Sequence, residues 1–128
     1  IRIPTNRKGR PSDTRVELRS PDPACNPYLA FACMLGAGMK GINEGYPAVP
    51  PVEENVFELS AAQRAERGIA SLPADLNEAI KAAENSELLR EIFGEPLLEK
   101  FILNKRMEWE RYRAHVSDFE LTSYLPIL

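Results

Sequence analysis

Residues 14–19 read Thr-Arg-Val-Glu-Leu-Arg, a strict alternation of polar and apolar side chains. A β-strand carries successive side chains to opposite faces, so Val16 and Leu18 share one face and Arg15, Glu17 and Arg19 the other. The apolar face asks for a core, and the charged face asks for something polar. The opening Ile1-Arg2-Ile3-Pro4 alternates in the same way. Between the two pieces lies Thr5–Asp13, rich in Pro, Gly and basic residues, which predicts an exposed loop joining antiparallel strands. It is longer than the usual hairpin connection, a length that points to function. Ser20-Pro21-Asp22-Pro23 ends the second strand, since proline has no N–H to give a ladder.

From here the periodicity changes to that of helices. Asn26-Pro27 predicts an N-cap followed by proline at the first helical position. Tyr28 to Met39 is apolar or small throughout but too short to span a bilayer, so it predicts a helix buried on most sides and stopped at Gly45. Tyr46–Glu54, with Pro47, Pro50 and Pro51, predicts a loop. Ser60 predicts the cap of a short helix ending at Gly68, and Asp75 the cap of one carrying Leu76, Ala79, Ile80 and Ala83. Ser86 predicts a further short helix ending at Gly94. Glu95 to His115 is the longest amphipathic stretch, with Leu98, Phe101, Ile102, Lys105, Trp109 and Tyr112 near one face. Ser117 predicts the cap of a last short helix with Phe119 and Leu121, before the apolar end Tyr124-Leu125-Pro126-Ile127-Leu128.

The chain of 128 residues has a net charge of −3, which conceals a split. Residues 1–19 carry a balance of +4, and residues 20–128 a balance of −7. A basic head on an acidic body predicts that the head meets an anion. Nucleic acid is disfavoured, because the remainder is acidic and no aromatic residue interleaves with the basic ones. Two cysteines, Cys25 and Cys33, are too few for a disulfide scaffold; they predict a reducing cytoplasm and read as small buried hydrophobes. The single histidine, His115, excludes a metal site in this chain built on two imidazoles. No signal or transit segment is visible, and the absence of an initial methionine predicts a piece of a longer protein.

The chemistry concentrates in Arg15-Val16-Glu17-Leu18-Arg19. Neighbouring positive charge keeps a carboxylate ionised. An ionised carboxylate among guanidinium groups suits a divalent cation that also touches phosphate, with the arginines on phosphate or carboxylate oxygens. The competing reading is a solvated strand face whose charges pair among themselves.

Taken with Arg2-Ile3-Pro4, the string Arg15-Val16-Glu17-Leu18-Arg19-Ser20-Pro21-Asp22-Pro23 and then Asn26-Pro27-Tyr28-Leu29 resembles the C-terminal part of type I glutamine synthetases. Gly38-Met39-Lys40-Gly41-Ile42, Glu54-Asn55-Val56-Phe57, Gly68-Ile69-Ala70-Ser71-Leu72-Pro73 and Glu108-Trp109-Glu110 follow in the family's order. The resemblance covers essentially the whole chain and is closest to the α-type enzymes.

The resemblance implies a C-terminal segment of a catalytic domain, residues 1–19 as strand, loop and strand, and 26–128 as the helical part. The expected class is α+β, mostly α-helical, with N-terminal antiparallel strands belonging to the parent domain's sheet. It implies an ATP-dependent ligase that makes glutamine from glutamate and ammonia through γ-glutamyl phosphate, in the cytoplasm, as a dodecamer of two hexameric rings. The segment alone is expected to be inactive. Ligation of glutamate to polyamines or other amines is an alternative, as is a non-catalytic assembly module.

By the same resemblance Glu17 is a ligand of Mg2+ or Mn2+. Arg19 holds glutamate and the transferred group, Arg2 and Arg15 meet ATP phosphates, and either Lys8 or Arg10 adds a contact to ATP. Arg2 and Arg19 are the expected catalytic residues. Phe57 stands where some members carry an adenylylated tyrosine, so that control is expected to be absent; a core aromatic is the other reading of Phe57. The apolar tail is expected to pack between subunits, the alternative being that it folds back on its own domain. No nucleic acid or membrane partner is expected.

Overall fold

The structure is a computed structural model, and it describes residues 1–4, 10 and 14–128. The chain divides into two compact units, Ile1–Leu72 and Pro73–Leu128.

In the first unit, α1 spans Pro27–Asn43 and α2 spans Ala61–Glu66. The Asn26 side chain accepts from the backbone N–H of Tyr28 and Leu29, and Pro27 occupies the first turn, where no N–H is needed. α1 ends at Gly45, whose φ of 64° is a left-handed conformation. There the Tyr46 N–H bonds to the Gly41 carbonyl and the Gly45 N–H to that of Ile42, which satisfies the last carbonyls of the helix. α2 opens with a reciprocal cap: Gln63 N–H donates to Ser60 Oγ, and Ser60 N–H to Gln63 Oε1. It closes at Gly68 with the same terminal pattern as α1.

The second unit contains α3 (Leu76–Glu84), α4 (Glu87–Phe93), α5 (Glu95–Arg113) and α6 (Asp118–Tyr124), which runs into a 3-10 turn at Leu125–Ile127. Asp75, Ser86 and Ser117 cap α3, α4 and α6 through their side-chain oxygens. Gly94, at φ 70°, is both the end of α4 and the start of α5. α3 and α4 pack on α5. Ile80, Leu98 and Ile102 form the buried centre, with Leu76, Ala83, Leu89, Phe93, Phe101 and Trp109 around them. Tyr112, expected on that face, is largely exposed, because it lies at the far end of α5 and stacks only beside Trp109.

Several expectations are corrected. The N-terminal antiparallel strands are not present: among the described residues there is no strand or sheet, and the chain is mostly helical. Arg2 and Glu17 meet in one isolated antiparallel bridge, with both N–H···O distances 2.8 Å. The reason lies in the partners a ladder needs. The next hydrogen-bonded pair would set Pro4 opposite Arg15, and Pro4 has no N–H to donate. No third strand is described to cover Val16 and Leu18, which stay exposed, and two strand-like pieces alone are marginal. The predicted loop Thr5–Asp13 lies outside the described residues apart from Arg10.

α1 is also not buried on most sides. Tyr28, Phe31, Leu35, Met39 and Ile42, spaced by three or four, form an exposed apolar stripe on one face. Only the opposite face, with Leu29, Cys33 and Met34, is half-buried. Cys25 is exposed, so of the two thiols only Cys33 lies partly inside. Phe57 is 91% exposed and is no core aromatic.

Candidate functional site

The bridge between Arg2 and Glu17 has a chemical consequence. Arg2 and Glu17 are directly opposite as a hydrogen-bonded antiparallel pair, so their side chains rise from the same face. Arg15, two residues before Glu17, shares that face. All three side chains converge. Arg15 Nε donates to Glu17 Oε1 at 2.9 Å, and Arg2 Nη1 donates to Glu17 Oε2 at 3.0 Å. Each carboxylate oxygen therefore carries one guanidinium.

These contacts hold the Glu17 carboxyl below the usual carboxylate range, the hydrogen bond from Arg15 contributing most and that from Arg2 next. The carboxylate is 27% exposed, and the two arginine side chains are more than half exposed. The three groups are accessible to a small solute, and together they carry one net positive charge.

The other expected site residues that the structure describes, Arg10 and Arg19, make no bond to this triad. Arg19 is exposed and makes no hydrogen bond or ion pair among the described residues. The sequence set Glu17 between Arg15 and Arg19, but its second partner is Arg2. Local alternation could not reveal that exchange, since it depends on which residue the bridge sets opposite Glu17. Arg10 is exposed and is not brought to the triad; Lys8 lies outside the described residues.

Glu17 has the hard, ionised oxygen chemistry that Mg2+ or Mn2+ requires. It does not make a metal centre by itself. Among the described residues no three His, Cys, Asp or Glu side chains come together to hold a metal ion, and both Glu17 oxygens already accept from arginines. This part of the chain fits a cation only as the contributor of one ligand.

A shallow depression in the second unit is lined by Glu84, Arg90, Glu95, Leu98, Glu99 and Ile102. Within the lining Arg90 Nε pairs with Glu95 at 3.0 Å, and Glu84 pairs with Arg106 outside it. It brings together no nucleophile and base. No helix among the described residues is long and apolar enough to cross a membrane.

Comparison with known proteins gives a consistent picture. A family model described as "Glutamine synthetase, catalytic domain" matches residues 1–124. A glutamine synthetase of Mycolicibacterium smegmatis is 46% identical over 127 residues, covering 99% of this chain and 28% of that protein. One from Methanosarcina mazei is 49% identical over 128 residues, covering 100% of this chain and 28% of its own length. One from Mycobacterium tuberculosis is 45% identical over 127 residues, again at 28% of its length. The chain thus spans just over a quarter of the curated relatives it matches.

Proposed function

The chain belongs to the glutamine synthetase catalytic-domain family, and from that premise we propose that the protein carrying it is an ATP-dependent ligase forming glutamine from glutamate and ammonia. The observation that carries this reading is the similarity along the whole chain to glutamine synthetases of both bacteria and archaea.

In this reading the γ-carboxylate of glutamate attacks the γ-phosphorus of ATP and ADP leaves. Ammonia then attacks the carbonyl carbon of the γ-glutamyl phosphate, phosphate leaves, and a proton is lost from nitrogen. Phosphoryl transfer is governed mainly by positioning and by neutralising charge on the oxygens. The residues at hand suit that demand. Arg2 and Arg15 are exposed guanidiniums on one face and bind ATP phosphate oxygens through paired hydrogen bonds. Arg19, whose guanidinium has no protein partner among the described residues, takes the glutamate and the group in transfer. Either Lys8 or Arg10 adds a contact to ATP from the loop. Glu17 is one ligand of a Mg2+ or Mn2+ ion, which when bound supplies positive charge to the phosphate oxygens.

The remaining metal ligands, the glutamate-binding groups other than Arg19 and the ammonia-binding group are not among the described residues, so this segment alone makes no glutamine. The working form is a dodecamer of two hexameric rings in the cytoplasm, with the exposed end Tyr124, Leu125, Ile127 and Leu128 packed between subunits. Phe57 has no phenolic oxygen, so adenylylation at that position does not occur.

The test is Glu17→Ala in the protein that carries this segment. ATP-dependent glutamine formation is expected to fall about a hundredfold or more, the loss typical when one stabiliser of transition-state charge is removed. Near-normal turnover would reduce Glu17 to a surface charge.

A further inference from the structure

The arginines assigned to phosphate and the carboxylate assigned to a cation are at present bonded to one another. Arg15 Nε lies 2.9 Å from one Glu17 oxygen and Arg2 Nη1 3.0 Å from the other. Two positive groups occupy the oxygens a cation would use, and the carboxylate occupies the donors a phosphate would use. We propose that the Arg2–Glu17–Arg15 triad is a self-occupied form of the site, in which anion and cation binding are coupled because each frees the groups the other needs. This rests on the reading of Glu17 as a cation ligand.

The geometry makes the exchange a local side-chain event. The backbone bridge, with both hydrogen bonds at 2.8 Å, keeps Arg2 opposite Glu17 whichever way their side chains turn. The arginine side chains are 56% and 58% exposed, so no packed layer resists a change of rotamer. An anion that takes the two guanidiniums leaves Glu17 with its oxygens open and with less positive charge held against it. A cation on Glu17 likewise leaves the guanidiniums free to donate. Reciprocity is then required: the factor by which the anion tightens cation binding equals the factor by which the cation tightens anion binding. Each exposed arginine–carboxylate pair accounts for about a two- to fivefold competition.

The experiment follows Mn2+ binding by electron paramagnetic resonance of the free ion, without nucleotide, on the protein that carries this segment. The Glu17-dependent part is defined as the binding lost in Glu17→Gln. Arg2→Ala and Arg15→Ala are each expected to tighten it about two- to fivefold. Sulfate, compared with chloride at equal ionic strength, tightens it in the unmodified protein and has no effect in the Arg2→Ala/Arg15→Ala double variant. A sulfate effect that persists in the double variant would overturn the proposal in favour of general electrostatics, as would the absence of any sulfate effect. Unchanged Mn2+ binding in Glu17→Gln would instead overturn the assignment of Glu17 as a cation ligand, and the coupling with it.

Discussion

On acidification the Arg2–Glu17–Arg15 triad comes apart, and the direction of the effect follows from the two hydrogen bonds that Glu17 accepts. They depress its carboxyl below the usual range, so the triad's stabilising contribution is complete above the carboxyl's unfolded-state value. It is lost as pH falls through the lower, folded-state value. A carboxyl-carbon NMR titration of Glu17 is expected to give a midpoint below that of an ordinary glutamate. Arg15→Ala is expected to move that midpoint upward more than Arg2→Ala, since the Arg15 bond is the larger cause. An ordinary midpoint in the unmodified chain would mean that the contacts do not persist in solution. At this scale the sequence was readable in part. Alternation put Arg15 and Glu17 on one face, and neighbouring charge implied an ionised carboxylate. Arg2 as the second partner was not readable, because that contact spans fifteen positions and depends on the register of a single bridge.

Among the elements, the helices follow from short local signals, each of which can be removed. Ser117→Ala deletes the hydroxyl that accepts from the Glu120 N–H and itself donates to Glu120 Oε2, while the backbone N–H of residue 117 keeps its bond to that oxygen. It is expected to destabilise the second unit by about 1 kcal/mol in denaturant unfolding. Ile80→Ala opens the small centre where α3 meets α5 and is expected to cost about 2–4 kcal/mol by the same measurement. A cost below that of the cap would show that Ile80 is not central to the packing. Caps at Asn26, Ser60, Asp75, Ser86 and Ser117, and stops at Gly45, Gly68 and Gly94, were readable because each acts within a few residues. The strands were not. A two-residue period states that a segment can pair, whereas pairing needs donors and a covering layer that Pro4 and the described residues do not supply.

For the whole molecule, exposed apolar surface is the dominant fact. The α1 stripe from Tyr28 to Ile42 and the chain end at Leu125, Ile127 and Leu128 face solvent in this chain. The apolar character of α1 in the sequence implies burial, but it does not carry the information that one face finds no cover among the described residues. The isolated chain is therefore expected to enhance the fluorescence of an apolar dye, and Phe31→Glu/Leu35→Glu to reduce that signal. An unchanged signal in the double variant would locate the dye elsewhere. The roles proposed for the basic head rest on family membership, since charge balance alone left nucleic acid, phosphate and carboxylate as open partners. The most direct test of the ligase assignment is the stoichiometry of the reaction catalysed by the protein that carries this segment. With ATP, glutamate and ammonia, it is expected to release one ADP and one phosphate for each glutamine formed; ADP release without glutamine, or glutamine formed without ATP, would contradict the assignment.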